Sequence, residues 1–229
     1  MKAWMLGGAA LGAGLAYLMR QGCRLKQFAT PKGNKGGIVI SGAATGVGRH
    51  AAETLASLGF TVFAGVRRLD AEEHVTALRS AGCVPLQLDV TDESSVAAAA
   101  LLVESTLTAA GLPLVALCNN AALDAQPEVV ELEDPVRARR LLDVNCVSLF
   151  NMHRHFVPLL RASAGVGGCA RIVNTGSVAG WVAPAGGALF AMSKPSSWAR
   201  MPSTLSDDTA AAARLVPPRV RAAPRRFVP

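Results

Sequence analysis

Short apolar runs rich in β-branched residues alternate with longer helix-like stretches between residues 37 and 176. The apolar runs predict five strands: GIVIS (37–41), TVFAGV (61–66), VPLQLDV (84–90), PLVALCN (113–119) and ARIVNTG (170–176). The intervening patterns predict helices over about 46–58, 70–82, 92–110 and 135–162. Because neighbouring parallel strands need a long crossover, which is usually helical, this alternation predicts an α/β fold with a doubly wound parallel sheet.

The basic charge of the chain is concentrated at its two ends. Residues 1–36 carry six basic residues and no acidic one, and residues 195–229 carry six arginines against Asp207 and Asp208. The region between them has eleven basic and fourteen acidic residues, so the formal net charge of +7 comes from the ends. This distribution argues against a basic nucleic-acid-binding face on the folded part. Residues 195–229 are rich in Pro, Arg, Ala and Ser, and we expect this divergent tail to be disordered.

The N-terminal segment is apolar. Residues Ala3 to Met19 are 17 uncharged residues, at the short end of what spans a bilayer. Basic residues follow in a linker over 21–36, so the positive-inside rule places the domain in the cytoplasm. Residues 1–20 therefore predict a single-pass membrane anchor, with a signal peptide cleaved near Ala16 as the alternative. The five cysteines are odd in number and form no C-x-x-C pair, which predicts neither a disulfide framework nor a metal site and counts against the signal peptide.

A glycine-rich loop joins the first strand to the first helix. In SGAATGVGRH, Gly42, Gly46 and Gly48 stand between strand and helix patterns, with Val47 inside the loop. Glycines at such a turn allow the backbone to approach a pyrophosphate, and the helix N-terminus offers unpaired N–H groups. The position of this loop predicts a dinucleotide site.

Further motifs follow in a characteristic order. They comprise Arg67 and Arg68 after the second strand, Asp89 in LDV, Asn119 and Ala121 in NNAA, Asn145 in VNCVSLF, Ser177 in NTGSVAG and Lys194 in ALFAMSK. Over residues 37–194 this set resembles the short-chain dehydrogenase/reductase family. The resemblance implies a Rossmann fold and hydride transfer between NAD(P) and an alcohol or ketone.

The resemblance also implies roles for these residues. Asn145, Ser177 and Lys194 match catalytic positions, and Gly42, Gly46, Val47, Gly48, Asp89, Asn119, Ala121 and Lys194 match cofactor-binding positions. Arg67 and Arg68 follow the strand end where NAD-dependent members carry an acid, which favours NADP over NAD because arginine pairs with a 2′-phosphate. The apolar N-terminus is similar to that of membrane-bound members acting on steroids, retinoids or other lipids, and members often form homo-oligomers.

Two features depart from the family pattern. Phe190 occupies the position of the catalytic tyrosine, and the only tyrosine of the chain, Tyr17, lies in the apolar N-terminal segment. Pro195 follows Lys194 directly and no further strand-like run follows, so we expect about five strands, with the C-terminal strands of the family missing. The abrupt change in composition suggests a shifted reading frame or an alternative splice product. Two hypotheses stay open: an oxidoreductase with impaired catalysis, or a non-catalytic nucleotide-binding relative or truncated by-product.

Overall fold

The computed structural model describes residues 35–124, 128–165, 170–180 and 185–194. The predicted anchor, most of the basic linker and the predicted tail therefore lie outside the described residues. Within the described ranges, no helix is both long and apolar enough to cross a membrane.

Five parallel strands form one sheet. They are β1 (Gly37–Ile40), β2 (Thr61–Val66), β3 (Val84–Gln87), β4 (Leu114–Asn119) and β5 (Arg171–Asn174). Their spatial order is β3-β2-β1-β4-β5, and every neighbouring pair is parallel. The chain thus winds outward from β1 in both directions, which confirms the predicted doubly wound α/β fold.

Helices connect the strands. In the described part of the chain they are α1 (Gly46–Ser57), α2 (Glu72–Ser80), α3 (Glu93–Ala110), α4 (Pro135–Leu142), α5 (Ser148–Gly165) and α6 (Ala188–Ser193). A π-helical segment, Asp143–Val147, joins α4 to α5, and short 3₁₀ turns cover Val130–Leu132 and Val178–Gly180. The region predicted as one helix over 135–162 is therefore helical throughout, but its middle, residues 143–147, is π-helical rather than α-helical.

The central strands of the sheet are buried on both faces. Val39 of β1 packs in a cluster with residues of α3 and α5, whereas its neighbours Ile38 and Ile40 pack on the opposite side against residues of α1 and α2. Alternate side chains of a strand point to opposite faces. This two-sided burial explains why the strand sequences are continuous apolar runs rather than alternating apolar and polar residues.

The third strand is shorter than its sequence pattern predicts. It ends at Gln87, although apolar residues continue to Val90. The Asp89 carboxylate accepts hydrogen bonds from the Thr91 backbone N–H and hydroxyl, at 3.0 and 2.7 Å, which turns the chain toward α3. Leu88 and Val90 are still buried, so the apolar pattern reflects burial beyond the strand itself.

Candidate nucleotide and catalytic site

A cleft of about 560 Å³ opens at the carboxyl ends of the strands. The loops after β1, β2, β3 and β4 and the junction of α4 with the π-helical segment line it. The lining residues are Gly42, Ala44, Thr45, Val47, Gly48, Val66, Arg67, Leu88 to Thr91, Asn120 to Leu123, Arg140, Asp143 and Val144. In an open doubly wound sheet this edge, where the strand order reverses, is where ligands bind.

The glycine loop is closely packed against the loop that follows β4. Gly42 has a φ of +65°, and a Cβ at this position would lie 2.8 Å from the Cα of Ala121. A Cβ on Gly48 would collide with the Gly42 carbonyl oxygen and with the Asn120 side-chain amide. Gly42 therefore requires glycine because of both its left-handed backbone and the lack of space, and Gly48 requires it because of the lack of space.

The N-terminus of α1 has backbone donors available for an anion. Thr45 is the N-cap residue, yet its side chain makes no capping hydrogen bond, and the first turn carries no acidic residue. Gly46 has a φ of +59°, and its missing Cβ points into open space. An uncapped helix start with a positive dipole end, beside an open cradle, fits a pyrophosphate group.

Ser41 and Asn120 hold the two loops of the cleft together. The Ser41 hydroxyl accepts hydrogen bonds from the backbone N–H groups of Asn120 and Ala121, at 3.0 and 3.1 Å. In return the Asn120 side-chain amide donates to the carbonyl oxygens of Ser41 and Gly42. Sequence reasoning did not select either residue, although both stand directly beside motif residues that it did select.

The end of the cleft formed by β2 and β3 carries charged side chains. Arg67 is exposed and lines the cleft, whereas Arg68 does not line it and pairs with Asp70 at 3.6 Å on the surface. Asp89 lines the cleft and is partly engaged with Thr91. A second cleft arginine, Arg140 from α4, was also not selected from the sequence.

Asn119, at the end of β4, is not one of the residues that line the cleft. It is buried, and its side-chain amide donates to the Asn174 side-chain oxygen at 2.8 Å and lies 3.2 Å from His153 Nε2. This cluster links β4, β5 and α5. Burial lowers the pKa of His153, so its imidazole is favoured in the neutral form that accepts this hydrogen bond.

Asn145 stands in the middle of the π-helical segment and connects the cleft to α6. Its side chain accepts from the Leu123 backbone N–H at 2.8 Å and donates to the Leu123 carbonyl at 3.0 Å. The same amide donates to the Ser193 hydroxyl at 2.9 Å. Leu123 lines the cleft and Ser193 precedes Lys194, so one buried amide joins the loop after β4 to the end of α6.

Phe190 and Lys194 lie one helical turn apart at α6. The Lys194 side chain is buried, and its Nζ lies 4.8 Å from the centroid of the Phe190 ring. Burial lowers the pKa of Lys194, while electrostatic interactions with the nearby Cys146 and Asp124 act in the opposite direction. The Phe190 ring therefore faces an ammonium group and offers it a π surface without any exchangeable proton.

Ser177 begins the short turn that packs against α6. Its hydroxyl accepts the backbone N–H of Ala179 at 3.1 Å, and the turn Val178–Gly180 contacts α6. The hydroxyl proton stays available for another acceptor. Ser177, Phe190 and Lys194 do not line the described cleft, but they are carried by elements in contact beside it.

Comparisons with known proteins agree with this geometry. Residues 37–211 match the sequence profile of the short chain dehydrogenase family. Human 11-beta-hydroxysteroid dehydrogenase type 2 is 32% identical over 147 residues, which make up 62% of this chain and 34% of that protein. The chain thus spans about a third of that relative's length.

Two solved structures extend the likeness to the cofactor. A 3-ketoacyl-(acyl-carrier-protein) reductase from Brucella melitensis, complexed with NADH, is 26% identical with a TM-score of 0.62, over 70% of this chain and 64% of that one. A metagenomic short-chain oxidoreductase in complex with NADP is also 26% identical, with a TM-score of 0.60, over 70% of this chain and 71% of that one. The fold that this chain shares therefore binds both nicotinamide dinucleotides.

Proposed function

Since the chain belongs to the short chain dehydrogenase family, a family of oxidoreductases, we propose that it binds NADP(H) and interconverts an alcohol and a ketone at a reduced rate. When bound, the nicotinamide supplies or accepts the hydride. The chain's own residues hold the nucleotide and move the proton. The observation that carries the proposal is the glycine cradle beside the uncapped start of α1.

The cradle fits a dinucleotide in shape and charge. Gly42 and Gly48 allow the β1–α1 loop to lie against Ala121, and Gly46 leaves space at the helix N-terminus. Val47 belongs to the same loop and is exposed in the cleft. We assign the pyrophosphate to this loop and the adenine end to the side of the cleft that contains Asp89.

Arg67 supports a preference for NADP. It lies in the cleft after β2, and it has no ion-pair partner among the described residues, whereas Arg68 is paired with Asp70. A guanidinium in this position binds a phosphate by charge-assisted hydrogen bonds. An adenosine ribose with a 2′-phosphate therefore suits this cleft better than one with two hydroxyls.

The catalytic positions support slow rather than fast turnover. Ser177 has a hydroxyl proton for a substrate oxygen, and Asn145 links the cleft to α6. Phe190 has no hydroxyl, and loss of a general acid or base typically lowers a rate by about 10²–10⁴-fold. The same residue favours a second candidate function, nucleotide binding without turnover.

The substrate, the membrane anchor and the pairing of copies are parts of the same proposal. The likeness to a hydroxysteroid dehydrogenase supports a lipid-like alcohol or ketone such as a steroid or retinoid as the substrate.

The uncharged run Ala3 to Met19 supports a single-pass anchor with the domain on the cytoplasmic side. Retention of the full chain in carbonate-washed membranes would test this anchor. Exposed apolar side chains on α5 and the π-helical segment support a homo-oligomer.

A fluorescence titration of the full chain with NADPH tests the nucleotide site. We expect saturable binding that Gly48→Ala weakens by at least tenfold, because the added methyl group collides with Gly42 and Asn120. Gly82→Ala is the matched control: it adds the same group at a turn before β3, at a residue that does not line the cleft, and we expect unchanged affinity. Absence of binding by the folded chain, or equal affinities for both variants, would contradict the proposal.

A further inference from the structure

Phe190 has no hydroxyl, but a group that carries an exchangeable proton, the Lys194 ammonium, lies beside its ring. Lys194 follows Phe190 by four residues, so both side chains lie on one face of the last helical turn. The Lys194 ammonium lies 4.8 Å from the ring centroid, within the range of a cation–π contact. Lys194 thus places an ionisable group against the ring at this position.

The backbone that presents Lys194 is fixed from two sides. The Ser193 hydroxyl donates to the Phe190 carbonyl at 2.8 Å and accepts from Asn145 at 2.9 Å. The Cys146 thiol lies 3.4 Å from the Ser193 carbonyl oxygen and donates to it. The end of α6 is therefore held against the π-helical segment, and the lysine side chain starts from a defined position.

The surroundings of Lys194 make it a better acid than a surface lysine. Burial lowers its pKa, because the charged form loses solvation. Electrostatic interactions with Cys146 on the π-helical segment and with Asp124 after β4 act against this shift. An ammonium whose pKa moves toward neutrality gives up its proton more readily at physiological pH.

We propose that Lys194 itself donates the proton to the substrate oxygen during ketone reduction, in the role that a tyrosine at position 190 would have. The inference rests on the proposed function. A bound reduced nicotinamide would supply the hydride to the carbonyl carbon, and Lys194 Nζ would supply the proton to the carbonyl oxygen. The C=O π bond is thereby replaced by one C–H and one O–H bond, and the neutral amine regains its proton from water.

The variant Lys194→Arg distinguishes the role of Lys194 as a proton donor from its role as a positive charge. Arginine keeps the charge and hydrogen-bond donors for a nucleotide, but it does not give up a proton at accessible pH. We expect the full-length variant to bind NADPH within about threefold of the unsubstituted chain and to reduce a ketone panel at least 10²-fold more slowly. Lys35→Arg is the matched control, because Lys35 also lies over a phenylalanine ring, Phe60, and we expect its rate to be unchanged.

A second variant covers the case in which arginine does not fit. Lys194→Ala removes the amine, and added ethylammonium ions supply a small replacement acid. Reduction that rises with ethylammonium concentration supports the proposal, and a rate that does not respond to it overturns the proposal. Ketone reduction by Lys194→Arg within threefold of the unsubstituted rate, at unchanged NADPH affinity, also overturns it and leaves the proposed function intact.

Competitive labelling gives a readout that does not depend on turnover. The pH dependence of acetylation at Lys194, followed by mass spectrometry in the NADPH-bound chain, reports its pKa directly. We expect half-maximal reactivity below the ordinary value of 10.5 and below that of Lys35. A Lys194 that titrates at or above the ordinary value overturns the proposal, whereas loss of NADPH binding would instead remove the proposed function.

Discussion

The Lys194 ammonium lies over the Phe190 ring, with 4.8 Å between Nζ and the ring centroid. The family resemblance predicts a tyrosine at position 190, and the ring that stands there contacts the ammonium through its π face. A ring without an exchangeable proton therefore packs beside Lys194. The chemistry of the site depends on which group replaces that proton.

Restoring the hydroxyl tests this relationship. We expect Phe190→Tyr to raise the rate of ketone reduction by about 10²–10⁴-fold, because a phenol beside an ammonium is an efficient general acid. The measurement is NADPH consumption with a panel of ketones. Phe190→Leu is the control, since it keeps an apolar side chain without a hydroxyl. Equal rates for the two variants would show that the hydroxyl is not the limiting deficiency.

The nucleotide preference is expected to depend on one arginine. Arg67→Ala should weaken NADPH binding more than NADH binding, because only NADPH carries the 2′-phosphate. A hydrogen bond to a charged group contributes about 1.5–3 kcal/mol, which corresponds to at least a tenfold change in Kd. Titration of both nucleotides into Arg67→Ala and Arg68→Ala checks this, with the surface-paired Arg68 as the control. If Arg67→Ala lost the same factor of affinity for NADPH and for NADH, Arg67 would not be the residue that binds the 2′-phosphate.

His153 is expected to make stability pH-dependent. Burial lowers its pKa in the folded chain below the ordinary value of 6.5, so the unfolded chain binds the proton more readily. The free energy of unfolding should therefore be highest above pH 6.5, fall as the pH drops through that value, and level off below the folded-state pKa. Protonation also removes the Nε2 lone pair that faces the Asn119 amide.

Urea unfolding at pH 7.5 and 5.5 measures this effect. We expect the chain to lose more stability between these pH values than His153→Gln, in which position 153 no longer titrates. His50→Gln, at an exposed position on α1, should behave like the unsubstituted chain. A pH dependence that His153→Gln leaves unchanged would assign the effect to other groups.

Pairing of two copies is expected to use the outer face of the helix formed by α4, the π-helical segment and α5. Phe150 and Val147 are three residues apart and are 70% and 48% exposed, an unusual position for a large aromatic side chain. Phe150→Glu should lower the molar mass measured by light scattering in detergent. Leu58→Glu, at another exposed apolar position, is the control, and an identical shift in both variants would count against this face.

The local sequence was sufficient to predict the fold and the position of the glycine loop between β1 and α1. Five apolar runs separated by helix patterns specify a parallel sheet, because parallel neighbours need crossovers and bury both faces. Gly42 and Gly48 could be selected from their place between a strand and a helix, and the structure supplies the steric reason for each. The prediction that Phe190 stands in place of a tyrosine came from the sequence alone, because the one tyrosine of the chain, Tyr17, precedes the first predicted strand.

Only the tertiary structure revealed the contacts that assemble the site. Ser41 binds the backbone of Asn120 across 79 positions, and Asn145 binds Ser193 across 48. Such pairs have no local signature, because their hydrogen bonds depend on how the strands are ordered in the sheet and on which helix packs beside which loop. The sequence by itself determined the alternation of elements and the chemical groups they carry. Packing decided which groups meet, since a hydrogen bond requires two atoms within about 3 Å whatever their separation along the chain.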